Sequence, residues 1–201
     1  MITKLYTQNP DYKRLEELTQ SIEQGALIIY PTGIGYALGC NPLKMNAVEQ
    51  LYALKQSNMR KQRFAIMCHD LTEASLYAKI DNFAFRYLKE HLAEPITFIL
   101  PVTNKLPKQL KQSREIGIRF SLHPITSLIL EHLECPLITA SLPIRKDEIE
   151  YLTNPELIDE VYGNDVFTII DGGTQQGLKT AIHKIENDNI TELRPSGPIF
   201  L

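Results

Sequence analysis

Residues 27–40 read Leu-Ile-Ile-Tyr-Pro-Thr-Gly-Ile-Gly-Tyr-Ala-Leu-Gly-Cys, and this stretch decides how the rest of the chain is interpreted. The apolar run 26–30 predicts a buried strand, and Pro31 is expected to end its pairing because proline has no N–H to donate. The two glycines after it let the backbone approach a ligand closely, while the Thr32 hydroxyl and the Tyr36 ring offer that ligand contacts. A tight turn into the next strand is the plainer interpretation. The segments further along the chain must decide between the two.

The composition is that of one soluble globular domain. The chain has 201 residues, of which 43% are hydrophobic and 22% charged, ordinary values for such a domain. No stretch approaches the roughly 18 apolar residues of a membrane span, and residues 1–11 lack the apolar block of a signal peptide. Cys40, Cys68 and Cys135 are too dispersed for a zinc site, so we expect reduced, buried thiols in a cytoplasmic protein.

The charges are unevenly distributed, although the net charge is only −3. Residues 50–69 contain no acid, and residues 105–119 contain a single acid among five basic residues. Residues 147–165 instead contain seven acids and no Lys or Arg. A nearly neutral chain can still carry a local cationic surface, which would suit a polyanion such as RNA. The alternative is that these runs are ordinary solvated faces.

Predicted helices and strands alternate at first, and strands dominate later. The expected helices are a segment opened by Asn9-Pro10 and stopped at Gly25, then 44–56, 71–77, 82–91, 123–134 and 155–161. The expected strands are 26–30, 64–69, 96–102, 116–120, 136–141, 166–171, 180–185 and 190–194. This order predicts a single α/β or α+β domain with a mixed sheet. No glycine-rich dinucleotide or phosphate loop of the common types is present, so ATP would have to bind by another device.

Seven short segments, in order along the chain, resemble motifs of the YrdC/YciO family, whose members are built around a threonylcarbamoyl-AMP synthase domain. The segments are Tyr-Pro-Thr-Gly-Ile-Gly-Tyr-Ala-Leu-Gly (30–39), the helix ending at Leu54-Lys55, Pro-Ile-Thr-Phe-Ile-Leu (95–100), Ile-Gly-Ile-Arg (116–119) with His-Pro (123–124), Thr-Ala-Ser (139–141), Asp-Gly-Gly (171–173) and Arg-Pro-x-Gly (194–197). The resemblance covers about residues 10–201. It implies a YrdC-like single domain, 1–201, with a twisted open mixed sheet and a concave cationic face.

The resemblance also implies a chemistry. The family's synthases combine L-threonine, bicarbonate and ATP with a divalent cation: a carbamate attacks the α-phosphorus, pyrophosphate leaves, and the product modifies an adenosine of tRNA. Positioning and charge neutralisation suffice for this reaction, so no protein nucleophile is expected. We therefore assign no catalytic residue, no metal site and no tightly bound cofactor, and we expect ATP with Mg²⁺ and L-threonine as candidate ligands.

The family's motifs imply two sets of site residues in this chain. The predicted substrate- and nucleotide-binding residues are Thr32, Tyr36, Lys55, Thr97, Arg119, Thr139, Ser141, Thr180 and Arg194. The predicted RNA-binding residues, for tRNA or double-stranded RNA, are Lys55, Arg60, Lys61, Arg63, Lys108, Lys111 and Arg119. His123 is expected to start a helix rather than to act as a base.

Several positions depart from the synthase motifs. Gly33 and Ile34 stand where the synthases have Asp and Thr, Ser57 replaces an Arg, and Pro143 replaces an Asn. Residues 179–183 replace a Ser-Thr-x-x-Asp element. Losing such groups from a preorganised site costs about 2–4 kcal/mol each, and the pattern resembles the YciO branch more than the synthases. We therefore predict an RNA- and nucleotide-binding protein connected with threonylcarbamoyladenosine. An active synthase and a non-catalytic partner-binding scaffold remain the alternatives.

Overall fold

A computed structural model describes residues 1–56, 64–111 and 114–199, without the side chain of Lys111. The described residues form a mixed α/β domain with seven α-helices and twelve strands. The helices are α1 Tyr12–Gln24, α2 Met45–Leu54, α3 Leu71–Tyr77, α4 Asn82–Glu90, α5 Pro124–Glu131, α6 Glu150–Thr153 and α7 Pro155–Tyr162. The strands are β1 Ile2–Lys4, β2 Ile28–Pro31, β3 Tyr36–Gly39, β4 Ala65–Cys68, β5 Ile96–Pro101, β6 Glu115–Phe120, β7 Leu137–Ser141, β8 Thr168–Asp171, β9 Leu178–Lys179, β10 Ala181–Glu186, β11 Asn189–Arg194 and β12 Gly197–Pro198.

Ten strands form one sheet in the order β1-β8-β2-β3-β7-β4-β6-β5-β10-β11. The pairings are mixed: β1, β8 and β2 run parallel, and so do β4 with β6 and β5 with β10. The other neighbours are antiparallel. The short strands β9 and β12 pair separately, just before β10 and just after β11. The fold class predicted from the sequence, a single α/β domain with a mixed sheet, is confirmed.

The two faces of the sheet are covered differently, because side chains alternate between faces along each strand. On one face, α1 and α5 pack over strands β2, β4, β7 and β8 in a cluster that includes Ile22, Tyr30, Met67 and Ile129. The larger cluster, on the opposite face, joins α2, α3, α4 and α7 to residues such as Phe98. On the first face, β5 and β6 contribute residues that belong to neither cluster, and these line a cavity.

Most predicted elements are present, and the differences have local causes. Helix α1 begins at Tyr12 rather than at Pro10, because the Asp11 side chain accepts from the Arg14 N–H and caps it. Gly25 ends it as predicted, with a φ of 112°. Helix α5 ends at Glu131, three residues earlier than expected.

The predicted end of β2 is confirmed, whereas some short elements were not predicted. Pro31 is the last residue of β2 and stands opposite Tyr36 in the ladder with β3. The strand therefore ends at this proline, one residue beyond the predicted range 26–30. Strand β3 is the next strand of the turn interpretation, and four short elements were not predicted, namely β1, α6, β9 and β12. Strand β1 also lies before residue 10, where the family resemblance starts.

Candidate functional site

A cavity of about 600 Å³ opens on the same face of the sheet as α1 and α5, in the part of that face that these two helices do not cover. Its walls come from the turn between β2 and β3, the end of α2, the end of β7 and the segments around β9 and β11. A volume of this size holds one small-molecule ligand. The cavity is too small for an RNA helix, so an RNA could reach it only with a single nucleotide or an end.

The floor of the cavity is set by strand register. Phe98 stands opposite Ile118, which places their neighbours Thr97 and Arg119 side by side on the other face. Gly117 on β6 lies between Thr97 on β5 and Ala65 on β4, and a Cβ atom there would come within 2.8 Å of the Ala65 Cβ. Real Cβ atoms do not approach so closely, so glycine is required at this position. Small residues in the centre of the sheet thus keep the floor deep.

Arg119 lies on this floor and makes one side-chain hydrogen bond to the described residues. Its Nη1 donates to the Thr139 hydroxyl at 3.2 Å. Burial lowers the pKa of the guanidinium, the nearby Tyr30 opposes that shift, and the positive charge of Arg194 adds to it. The two guanidinium groups are therefore near enough to repel each other, an arrangement that an anion between them would relieve.

Arg194 is held by a hydrogen-bonded chain across β10. Its Nε and Nη2 donate to the Thr180 carbonyl at 3.2 and 2.8 Å, and Nη2 also reaches the Thr180 hydroxyl at 3.2 Å. That hydroxyl lies 3.0 Å from the hydroxyl of Thr97. Burial lowers the pKa of Arg194 as well. The chain fixes the guanidinium at the edge of the cavity and orients it without a carboxylate.

Lys55 occupies the opposite wall, directly after α2. Its Nζ donates to the Ser141 carbonyl at 2.7 Å and lies 3.3 Å from the Ser141 hydroxyl. Burial lowers the pKa of this ammonium group. The end of α2 and the end of β7 are thereby tied together, and the charge of Lys55 faces the cavity.

The turn between β2 and β3 closes the cavity on a third side. The backbone N–H and the hydroxyl of Thr32 both donate to the Gly35 carbonyl, at 2.8 and 2.9 Å. The Tyr36 hydroxyl accepts from the Gly172 N–H and donates to the Gly173 carbonyl. Burial raises the pKa of Tyr36 to about 12, so this phenol is neutral at physiological pH. Thr32 therefore closes the turn and also lines the cavity.

The charge of the cavity has one sign. Lys55, Arg119, Lys179 and Arg194 line it, and the lining described in the structure includes no Asp or Glu. Apolar side chains such as Ile34, Leu142, Leu178 and Ile199 complete the walls. Basic groups held by hydroxyls beside an apolar wall suit a ligand with both an anionic and an apolar part.

All nine residues predicted to bind substrate or nucleotide line this one cavity. Their role in binding stays a prediction. Of the residues predicted to bind RNA, Lys55 and Arg119 line the cavity, whereas Lys108 is exposed and is absent from its lining. Arg60, Lys61 and Arg63 lie outside the described residues, as does the side chain of Lys111. That these segments surround one concave surface stays a prediction.

Sequence reasoning missed Lys179 as a lining residue and underrated the apolar wall. Lys179 directly precedes Thr180, so its neighbour in the sequence was the available signal. His123 caps α5 through its Nδ1, which accepts from the Ile125 N–H, and its Nε2 lies 3.2 Å from the Gly172 carbonyl. The prediction that His123 starts a helix is confirmed.

The structure explains one departure from the synthase motifs. Gly33 has a φ of +94°, and a Cβ atom there would lie 2.7 Å from the Leu122 Cβ and 2.9 Å from its carbonyl carbon. An aspartate at this position is thus incompatible with the turn as it stands. Of the other departures, Pro143 accepts a hydrogen bond from the Tyr162 hydroxyl through its carbonyl, and Ser57 lies outside the described residues.

Other kinds of site are not supported in the described part of the chain. Cys40, Cys68 and Cys135 are buried and free, and burial raises the pKa of both Cys40 and Cys135 to about 12. Among the described residues, no group of three or more His, Cys, Asp or Glu side chains could hold a metal ion. Within the same residues, no helix is both long and apolar enough to cross a bilayer.

The fold and the site together define a mixed α/β protein with a basic, hydroxyl-lined cavity on its sheet. The family model for Sua5/YciO/YrdC, described as Telomere recombination, matches residues 20–196. The chain belongs to this family.

Two relatives match this chain at 30% identity or more over nearly their whole length. The uncharacterized protein YciO of Escherichia coli is 32% identical over 192 residues, covering 94% of this chain and 92% of its own length. Its crystal structure matches with a TM-score of 0.86 over 98% of this chain and 95% of its own. A putative threonylcarbamoyl-AMP synthase of Methanocaldococcus jannaschii is 30% identical over 196 residues, covering 96% and 91%.

A more distant structure shares the fold. P. abyssi Sua5, crystallised with L-threonine, is 22% identical and has a TM-score of 0.83 over 98% of this chain and 58% of its own. The resemblance to YciO and the synthases that the sequence motifs indicated is confirmed.

Proposed function

We propose that this chain is a YciO-type protein that binds the phosphates of a nucleotide in the cavity and acts in connection with threonylcarbamoyladenosine in tRNA. The observation that carries the proposal is the charge of the cavity: four basic side chains and, in the described lining, no carboxylate. Relatedness to a putative threonylcarbamoyl-AMP synthase supports the choice of nucleotide chemistry over other anions.

The residues have separable roles in this proposal. Arg119 offers to phosphate oxygens the N–H groups that no described residue accepts, and Arg194 and Lys55 reach the same space from two walls. Charge-assisted hydrogen bonds of this kind are the strong ones. The apolar wall receives the base. A Mg²⁺ ion would have to enter on the phosphates, because the described lining offers no carboxylate oxygen to hold it.

Nucleotide binding is tested by calorimetric titration with ATP and Mg²⁺. We expect Arg194→Met to weaken ATP binding by roughly 10- to 100-fold, the value of one charge-assisted contact. The control is Arg86→Met on the exposed side of α4, which should bind as the unaltered protein does. If ATP does not bind to the unaltered protein, the proposal fails and the scaffold alternative gains support.

Synthase turnover is expected to be weak or absent. Gly33, Ile34, Ser57 and Pro143 lack the acid, hydroxyl, guanidinium and amide of the synthase motifs. The assay supplies ATP, L-threonine, bicarbonate and Mg²⁺ and measures released pyrophosphate. Robust release that requires both threonine and bicarbonate would instead establish the active synthase.

RNA binding is the second part of the proposal and is supported by exposed basic residues outside the cavity. Lys105 and Lys108 are exposed in the segment between β5 and β6. Their reversal to Glu should weaken tRNA binding broadly across sequences and flatten its log–log salt slope by roughly 0.7–0.9 per lost phosphate contact. ATP binding should not change. The matched control reverses Lys79 and Lys89, which are also exposed. Unchanged tRNA affinity after the first double reversal would contradict this part.

A further inference from the structure

The charged side chains in the described lining of the cavity are all basic, and most of the remaining lining residues carry hydroxyl groups or are apolar. An amino acid carries an ammonium group that needs a carboxylate, a carbonyl or another acceptor when it leaves water. Four basic side chains line the cavity, and the described lining contains no carboxylate. A free ammonium group would therefore enter a field of its own sign.

Four backbone carbonyls of residues that line the cavity already accept hydrogen bonds from the protein. The Ser141 carbonyl accepts from Lys55, and the Thr180 carbonyl accepts twice from Arg194. The Gly35 carbonyl accepts from both the N–H and the hydroxyl of Thr32. The Ile34 carbonyl accepts from the Leu178 N–H. A carbonyl oxygen has two lone pairs, and those of Gly35 and Thr180 are both used, so an ammonium group would have to displace a protein donor there. The Ser141 carbonyl has one donor, but an ammonium group bound to it would lie beside the Lys55 ammonium. The Ile34 carbonyl keeps one lone pair.

The hydroxyl groups that line the cavity are likewise paired with the basic side chains. The hydroxyls of Thr139 and Thr180 accept from Arg119 and Arg194, and the Ser141 hydroxyl lies within hydrogen-bonding distance of Lys55. A hydroxyl that accepts from a cation keeps its own O–H free to donate. These groups are suited to phosphate and carboxylate oxygens rather than to N–H groups.

We infer that the cavity selects acidic ligands whose nitrogen is uncharged, so that an N-acylated amino acid binds in preference to the free amino acid. The inference rests on the proposed function, because it assigns a ligand class to the same cavity. It distinguishes this chain from the P. abyssi relative, which was crystallised with L-threonine. Ile34 contributes to this difference, because its apolar side chain lines the cavity where the synthase motif has a threonine hydroxyl that could accept from an ammonium group.

The test compares ligands that differ at the nitrogen. Calorimetry or ligand-observed NMR with L-threonine, N-acetyl-L-threonine and N-carbamoyl-L-threonine should show at least tenfold tighter binding of both acylated compounds. Two acyl groups are used so that recognition of a urea is not mistaken for rejection of the ammonium. Binding of L-threonine as tight as that of the acylated compounds overturns the inference.

A carboxylate added to the wall should shift the preference. Ile34→Asp should raise the affinity for L-threonine and lower that for the acylated compounds at least fivefold each, whereas the uncharged Ile34→Asn should not. Because Ile34 is only 6% exposed, Ile144→Asp provides a second variant on a lining residue that is 56% exposed and tolerates a charge. Unchanged ratios in both folded aspartate variants overturn the inference.

Titration with ATP on the same samples separates the two proposals. If ATP binds and the threonine series shows no preference for the acylated compounds, the ligand assignment fails and the proposed function stands. If neither ATP nor any acylated compound binds, both fail.

Discussion

Arg119→Met is expected to weaken anion binding strongly while lowering the stability of the protein by no more than about 1 kcal/mol, or raising it. The guanidinium of Arg119 lies on the cavity floor, where burial lowers its pKa. Its hydrogen bond is to the neutral Thr139 hydroxyl, and the described residues show no ion pair at Arg119. A desolvated charge without a counter-charge is costly in the ligand-free protein, and an anion would remove that cost.

The magnitudes follow from this arrangement. A ligand phosphate would make one or two charge-assisted hydrogen bonds to Arg119, each worth about 1.5–3 kcal/mol. Their loss should raise the dissociation constant for ATP by roughly 30- to 700-fold, corresponding to about 2–4 kcal/mol. For folding, replacing a buried ion pair by apolar residues of similar volume is neutral or stabilises by about 1–4 kcal/mol, and we apply this range to Arg119, which is partly buried. Loss of the donor to Thr139 costs about 1 kcal/mol, so the free energy of unfolding should change by between about −1 and +3 kcal/mol.

The assay measures both quantities on one set of proteins. Urea unfolding without ligand gives the free energy of unfolding, and calorimetric titration gives the ATP affinity. Arg86→Met, on the exposed surface of α4, controls for the loss of a positive charge and should change neither by much. A loss of more than about 3 kcal/mol of stability, the value for a broken buried ion pair, would refute the view that Arg119 has no counter-charge among the described residues.

Three further predictions concern the turn, the pH dependence and the thiols. Gly33→Ala should destabilise the protein by about 2 kcal/mol or more in urea unfolding, because it adds a steric clash to a positive φ. The control Gly173→Ala, at a φ of +68° with nothing within 4 Å of the added Cβ, should cost only about 1 kcal/mol. Equal losses in the two variants would contradict the clash. Because burial lowers the pKa of Lys55 below 10.5, its positive charge is lost as pH rises through that lowered pKa, and ATP affinity should fall over this range. Lys55→Met should remove this decline in affinity. A decline of equal size in the variant would be contrary evidence. A thiol reagent should react slowly with the native protein and titrate three thiols after denaturation, since all three cysteines are buried and free; a count of one in a monomer would reveal a disulfide.

The sequence predicted the fold well where hydrophobic periodicity and capping residues agree. Helix α4, strand β5 and strand β7 lie within a residue or two of their predicted bounds. The short elements β9 and β12 were missed because they have two residues each and exist only through pairing with one another. Pairing between distant segments leaves no local periodicity.

The sequence predicted which residues line the candidate site, but it did not predict that the described lining would contain basic residues and no acidic ones. Motifs identified nine residues that the structure brings into one cavity, yet nothing local indicates that the lining lacks carboxylates. The acids of residues 147–165 are near some lining residues in sequence and are not in the described lining. The same limit applies to Lys179, whose place in the cavity depends on the antiparallel pairing of Lys179 with Gly197.

The positions that match the synthase motifs and those that depart from them occupy different parts of the fold. Thr97, Arg119 and Thr139 lie within strands, where register fixes which face each side chain takes. Gly33, Ile34 and Pro143 follow strand ends, where loops vary without disturbing the sheet. The strands thus hold the basic floor, and the loops determine what else can enter. A protein of this fold can therefore keep an anion-binding floor while its loops exclude the amino group of a free amino acid, which is the combination that the Arg119 and Ile34 variants test separately.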